Sequence, residues 1–240
     1  MTGDMRTFAD AREWARTGTK LLLDAVADLD EAGFSGAAVL PEWTRKHLAA
    51  HVAANSDALS NLVHWAETGE ETPMYASAEE RAAGIAKGAT LSAVELRSWL
   101  TDSARRLAEG FDRLTDAHWQ HEVVTAQGRT VPATELPWMR AREVCVHAVD
   151  FGTGVTFADL PAGFLTALVD EISTKRGMTE RAAWARQGGQ SGQDGLPDGP
   201  PPSGALPDGP LSDGPLPEVA AWLAGRPHSL ADAPALGPWL

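Results

Sequence analysis

The sequence predicts a mainly α-helical protein, an up-and-down four-helix bundle followed by a reduced C-terminal segment on a linker. Four long stretches place apolar residues three or four positions apart, the spacing of a helix face that packs against partner helices. Only residues 122–132 have the Val and Thr content of strands, and they predict a small hairpin or an extended loop. Helices therefore supply nearly all of the expected core.

The first two long helices are bounded by recognisable start and stop signals. Helix one is expected over about residues 8–31 and ends near Gly33. The second begins after Thr44, whose hydroxyl can accept a hydrogen bond from a free backbone N–H one turn into the helix, and runs to about Glu67. A short helix is expected near residues 77–86.

The third and fourth long helices follow the same logic. Ser92 is a cap for the third, which runs to about Leu114. Thr134 is the expected cap of the fourth, with Pro137 in the first turn, where a missing N–H costs little, and an end near Phe151. Further short helices are expected at about residues 161–176, 179–187 and 217–224.

Composition changes sharply in the last quarter of the chain. Gly, Pro, Ser and Asp dominate there, with LPDGP at 196–200 and 206–210 and LSDGP at 211–215, a content that cannot bury enough apolar surface to order itself. The predicted organisation is therefore a helical bundle over residues 1–177, a mobile linker over 178–216, and a short helix with a tail over 217–240.

Charge and cysteine content exclude several classes of function. The 240 residues carry a net charge of −13, so the overall field repels nucleic acid and anionic membranes. No apolar run is long enough to span a bilayer, and the N-terminus has no apolar signal core, so we expect a cytoplasmic protein. The single Cys145 excludes an internal disulfide and a thiolate zinc cluster. It is expected to be a small core residue.

A metal centre is the main chemical hypothesis that the residues support. Glu143 and His147 are four positions apart and share one helix face, and the second long helix carries His47 and His51 at the same spacing. Facing helices of a bundle can pool such ligands. Two imidazoles and one carboxylate are a catalytic zinc set, although iron sites use similar groups. Glu143 lies in a nearly all-apolar stretch, so its charge needs compensation.

Several alternatives stay open around this centre. His51 can instead be a satisfied core residue, and His47 can replace it as a ligand, support it from outside or face solvent. Asp150 can orient the ring of His147 or cap the following turn. The remaining candidates near helix ends or loops are interpreted as solvated: His64, His118 and His121.

Five segments resemble the mycothiol-dependent maleylpyruvate isomerase family. They are EWTRKHLAAHVAANS (42–56), GEETPMY (69–75), VTAQGRTVPA (124–133), WMRAREVCVHAVDFG (138–152) and, more weakly, AAWLAGR (220–226). The resemblance implies a DinB-like four-helix bundle with a smaller C-terminal domain, bound zinc, and mycothiol as the thiol that converts maleylpyruvate to fumarylpyruvate in gentisate degradation. By position it implies His51, Glu143 and His147 as zinc ligands and Arg81 and Arg226 as functional arginines.

The implied reaction must convert a carbon–carbon double bond to a single bond for a time, because rotation about the double bond is blocked. Thiolate addition gives an enolate with a single bond at that position, and rotation followed by thiol loss gives the trans isomer. Zinc can activate either the thiol or the substrate carbonyl. The dianionic substrate needs local cations, for which Arg81 and Arg226 are candidates. Arg140 and Arg142 are also candidates, but their favoured interpretation is a solvated surface charge.

The family's C-terminal strands have no counterpart in the composition of residues 178–217, so the C-terminal domain is expected to be reduced or replaced, which bears on the role of Arg226. Two other functions stay open. One is a mycothiol S-transferase with the same metal and thiol site and another electrophile. The other is a non-catalytic, metal-binding regulatory bundle.

Overall fold

The computed structural model of the protein describes residues 6–177, 214–231, 233–237 and 239. The chain divides into two compact units, Met1–Asp159 and Leu160–Leu240. The helices of the first unit are α1 (Phe8–Val26), α2 (Glu31–Ser35), α3 (Arg45–Thr68), α4 (Ala78–Gly88), α5 (Ala93–Arg113), α6 (Asp116–Trp119) and α7 (Leu136–Asp150).

The four long helices of this unit form the predicted bundle. α1 packs along α7, α7 packs on α3, and α3 packs along α5, while α4 covers part of α3. Leu59 and Leu62 of α3 meet Leu107 and Phe111 of α5 in one buried cluster. Burial of such side chains is the main stabilising term of a helical bundle.

Capping residues define where the helices begin. Thr44 accepts a hydrogen bond from the backbone N–H of His47, and Ser92 accepts one from that of Glu95, as the sequence predicts. The prediction for Thr134 is wrong. Residues Ala133–Glu135 form a 3-10 turn that leads directly into α7, so the first turn of α7 needs no side-chain cap. Pro137 lies in that first turn, as predicted.

The first predicted helix is split into two. α1 ends at Val26, and Asp30 caps the separate short α2 by accepting from Gly33 N at 2.7 Å. Aspartate favours caps because its side chain competes for nearby backbone donors. Of the two structures predicted for residues 122–132, the chain forms the hairpin. It consists of β1 (Glu122–Val124) and β2 (Thr130–Pro132), in which Val123 pairs with Val131.

The second unit contains α8 (Ala162–Lys175) and α9 (Leu216–Leu223), close to the expected bounds. The two helices pack on each other, and Trp222 of α9 donates its indole N–H to the carbonyl of Pro234. The helix predicted over 179–187 and the DGP segments lie outside the described residues. No helix among the described residues is long and apolar enough to cross a membrane.

A close approach of α1 to α7 depends on a glycine. A Cβ atom at Gly18 would lie 2.5 Å from the sulfur of Cys145 and 2.7 Å from a methyl of Val144. Both neighbours are fully buried, so neither can move freely. Cys145 is therefore a core residue, as expected, and burial raises the pKa of its thiol.

We predict that Gly18→Ala lowers the free energy of unfolding by about 1–3 kcal/mol, because overpacking forces α1 away from α7. The matched control is Gly84→Ala in α4, where a Cβ meets nothing within 4 Å. That change should raise the free energy of unfolding by about 0.5–1 kcal/mol, since alanine restricts the unfolded chain. Urea denaturation followed by circular dichroism measures both, and equal effects of the two changes would contradict the close approach.

Candidate metal centre and active site

Three potential ligands converge between α3 and α7. His51 lies on α3, Glu143 and His147 lie one turn apart on α7, and one ligand atom from each lies within 4.8 Å of the others. The Nε2 atom of His51 is 3.1 Å from Oε2 of Glu143, and Nε2 of His147 is 3.4 Å from the same oxygen. The structure therefore brings together the three side chains selected from the sequence.

The cluster is buried but not sealed. His51 and His147 are 6% and 2% exposed, whereas the side chain of Glu143 is 17% exposed. Solvent thus reaches the cluster from the carboxylate side. The indole ring of Trp43 packs edge-on against His51 at 5.6 Å between ring centroids and limits access there.

One buried ring nitrogen of the cluster, Nε2 of His147, is available to bind a metal. Within the described part of the chain, the Nε2 atom of His147 has no partner with the geometry of a hydrogen bond, and the nearby Oε2 atom of Glu143 lies 3.4 Å away. Buried imidazole nitrogens are normally paired. Two imidazole nitrogens and one carboxylate oxygen at this spacing are the donor set of a catalytic zinc site. The residues present therefore fit a zinc ion.

Asp150 holds His147 in the orientation that this role requires. Its Oδ2 atom lies 2.8 Å from Nδ1 of His147, and the carboxylate is fully buried. A carboxylate on the far nitrogen fixes the tautomer that directs a lone pair from Nε2 toward the cluster. Of the two roles left open for Asp150, the structure supports ring orientation.

The charges of the cluster are strongly coupled. Burial lowers the pKa of His51, and the attraction of Glu143 offsets this only in part. Burial would also lower the pKa of His147, but Asp150 and Glu143 outweigh it and raise this pKa to about 9. Burial opposes ionisation of Glu143, but the two histidines reverse that effect and hold its pKa well below the usual range.

Arg81 lies at the edge of the cluster, where the resemblance implies a functional arginine. It belongs to the first turn of α4, and its Nη2 atom is 3.4 Å from Nδ1 of His51. Its guanidinium also lies 5.7 Å from the centre of the half-buried Tyr75 ring. A cation is thus placed beside the candidate ligands in an acidic protein. Tyr75 and Trp43 received no role from the sequence, since a lone aromatic residue in a loop carries no periodic signal.

Three of the other histidines have partners that do not involve a metal. The ring of His47 caps α3, with Nδ1 at 2.8 Å from the hydroxyl of Thr44. This favours His51 as the ligand of the second long helix. His64 lies 3.7 Å from Glu70 at the surface, and His121 contacts the carbonyl of Ala66 at 2.6 Å.

The predicted surface position of Arg140 is wrong. Arg140 is only 3% exposed and donates from Nη1 to the carbonyl of Val52 at 3.1 Å and to Oδ1 of Asn55 at 3.0 Å. Burial lowers its pKa to about 10. Arg142 is half-buried, with its guanidinium 5.8 Å from the Trp138 ring centre, and is not a freely solvated charge either.

Arg226 is placed within the second unit. It follows the turn after α9, is 4% exposed, and donates from Nη1 to the carbonyl of Ala224 at 2.6 Å. This hydrogen bond lies within the second unit, and the functional role of Arg226 stays a prediction.

Comparisons with known proteins point to one family. Residues 15–152 match the family model described as the mycothiol maleylpyruvate isomerase N-terminal domain. Two solved structures are similar over 98% of this chain and 98% of theirs, each with a TM-score of 0.78. One is the mycothiol-dependent maleylpyruvate isomerase, at 40% identity, and the other is a histidine-to-alanine mutant of that isomerase, at 39%. A search of curated proteins gives no significant match.

We predict that zinc binding at pH 7 releases about one proton, because His147, with its pKa of about 9, must lose its proton to become a ligand. His51 and Glu143 contribute little, since both have lowered pKa values and are already deprotonated. The apparent zinc affinity should therefore rise with pH and level off above about 9. Titration calorimetry in buffers of different ionisation enthalpy counts the protons.

The matched variant is Asp150→Asn, which removes the strongest partner that raises the pKa of His147. It should release fewer protons at pH 7. A release near zero in the unmodified protein, or no change in the variant, would contradict the coupling of Asp150 to His147.

Proposed function

The chain belongs to the mycothiol maleylpyruvate isomerase family, and on that premise we propose that it isomerises maleylpyruvate to fumarylpyruvate with mycothiol at a zinc site. The proposed ligands are His51, Glu143 and His147. The observation that carries the proposal is the convergence of these three side chains. The gentisate degradation pathway and a cytoplasmic location are the setting that we expect for this reaction.

The chemistry requires a temporary loss of double-bond character. The sulfur of the thiolate bonds to one carbon of the double bond, and the displaced electron pair moves to the conjugated carbonyl oxygen as an enolate. The former double bond is now single and rotates. The enolate then re-forms the double bond and expels the thiolate, so the thiol is regenerated and no oxidant or reductant is needed. Bound zinc supplies Lewis acidity and lowers the pKa of a coordinated group.

The residues of the chain have separate tasks in this scheme. The two histidines and Glu143 hold the metal, and Asp150 keeps the ring of His147 aligned. Arg81 is the proposed partner of one substrate carboxylate, because its guanidinium lies beside His51 and can bind a carboxylate through two parallel hydrogen bonds. Arg226 is the proposed partner of the other carboxylate, on the basis of the family resemblance.

We predict that His51→Ala, Glu143→Ala and His147→Ala each lose bound zinc and thiol-dependent isomerisation, because three protein ligands are the minimum of a catalytic zinc site. Atomic emission measures the metal, expected at about one zinc per chain in the unmodified protein. The absorbance change of maleylpyruvate, with and without mycothiol, measures the reaction.

His47→Ala is the matched control, since it removes a histidine one turn away on the same helix. It should lower the free energy of unfolding by about 1 kcal/mol or less, because it removes the contact of the ring with Thr44 but keeps Thr44 as the cap, and it should leave zinc and turnover in place. Loss of zinc from His47→Ala and its retention in His51→Ala would reverse the ligand assignment. Thiol consumption with a general electrophile but not with maleylpyruvate would favour the S-transferase. Bound zinc without any thiol-dependent turnover would favour the regulatory bundle.

A further inference from the structure

A second concave site lies in the first unit, between α1 and α5. Its volume is about 430 Å³, within the range of small-molecule pockets, and none of the three proposed metal ligands lines it. α1 and α5 contact each other far less than the other neighbouring pairs of long helices do. The cavity occupies the gap that this leaves.

The walls of the cavity are mainly apolar. Leu23 of α1 and Leu107 and Phe111 of α5 line it together with three alanines, and the polar residues of the lining contribute much less surface. A dianion such as the proposed substrate, charged at both ends, is a poor occupant of such walls because one carboxylate would lose its hydration without compensation. The walls instead suit a hydrocarbon or aromatic body.

A buried cation lines the same cavity. Arg140 is 3% exposed, and its two hydrogen bonds from Nη1 go to neutral oxygens of α3. Its Nε atom is buried and has no hydrogen-bond partner among the residues that the structure describes. Within that same set of residues, no carboxylate lies at ion-pair distance from Arg140. Glu143 and Asp57 attract the guanidinium of Arg140 from beyond ion-pair distance only. An anion in the cavity would therefore add a direct partner for this buried charge.

The remaining charges of the lining favour an anion as well. Three more cations than carboxylates line the cavity, although the whole chain carries a net charge of −13. Four of the five lining cations already pair with carboxylates and contribute mainly to attraction at long range. Arg12 and Arg16 pair with Asp112, Lys20 with Asp24, and Arg105 with Asp102 and Glu109. Arg140 is the cation that lacks such a partner.

We propose that the α1/α5 cavity binds an amphipathic monocarboxylate, with its hydrocarbon body along the apolar walls and its carboxylate against Arg140. The lining of this site includes none of the proposed zinc ligands, and the proposal does not depend on the proposed isomerase activity. The most direct test titrates decanoate into the zinc-loaded full chain and measures binding by calorimetry. 1-Decanol provides the hydrocarbon body without the carboxylate, and acetate provides the carboxylate without the hydrocarbon body.

Decanoate should bind with one molecule per chain, at least tenfold more tightly than 1-decanol, and acetate should give no detectable binding. Arg140→Gln removes the charge but keeps amide hydrogen for the oxygens of Val52 and Asn55. This variant should bind decanoate at least tenfold more weakly, and its affinity for 1-decanol should be unchanged. Equal binding of decanoate and 1-decanol to the unmodified protein would overturn the role of Arg140.

A second pair of variants keeps the test valid if Arg140→Gln fails to fold. Ala108 is exposed on α5 and lines the cavity, so Ala108→Trp should fill it and weaken decanoate at least tenfold. Val94→Trp, on the exposed face of the same helix outside the lining, should leave binding unchanged. Unaltered decanoate binding in Ala108→Trp would overturn the proposal. The proposal would also be overturned if the unmodified protein is a dimer that binds no decanoate and Ala108→Trp converts it to a monomer. The cavity would then be an interface between two copies of the chain.

Discussion

A carboxylate held between two imidazoles inside a helical bundle is the central interaction of the candidate site. Glu143 lies among apolar neighbours on α7, where an isolated charge would be costly. His51 and His147 make ionisation favourable by placing their ring nitrogens within 3.1 and 3.4 Å of the same oxygen. Once His147 has lost its proton, the arrangement presents one negative charge and two imidazole lone pairs at one point, which suits a divalent cation.

The bundle holds these donors in place through features remote from them. Thr44 and the ring of His47 cap the start of α3, and His51 lies one turn after His47 on the same helix. The cap therefore sets the position of His51. α7 packs closely on α1 because Gly18 leaves room for Cys145, which fixes the opposite face of the helix that carries Glu143. Asp150 then orients His147 from the end of α7. Each device is local, but together they determine where three side chains meet.

Much of this could be predicted because it depends on spacing. Helical periodicity identifies α3, α5 and α7, and a four-residue separation places Glu143 and His147 on one face whatever surrounds them. The split after Val26 and the 3-10 turn before α7 depend on competition between backbone and side-chain hydrogen bonds, which periodicity does not report. The burial of Arg140 differs from the prediction because charged residues are normally exposed, and its hydrogen bonds to Val52 and Asn55 of α3 depend on how the helices pack. The approach of Arg81 to His51 depends on how α4 packs, and no spacing within one helix encodes it.

The most direct measurement is zinc X-ray absorption spectroscopy of the metal-loaded protein in the absence of mycothiol. Without thiol, the spectrum should report two imidazole nitrogens and light oxygen ligands at about 2.0–2.2 Å, with no sulfur, since Cys145 is buried on another face of α7. A sulfur ligand in the thiol-free protein, or the same nitrogen signal after His51 and His147 are both replaced, would contradict a centre built from these three side chains.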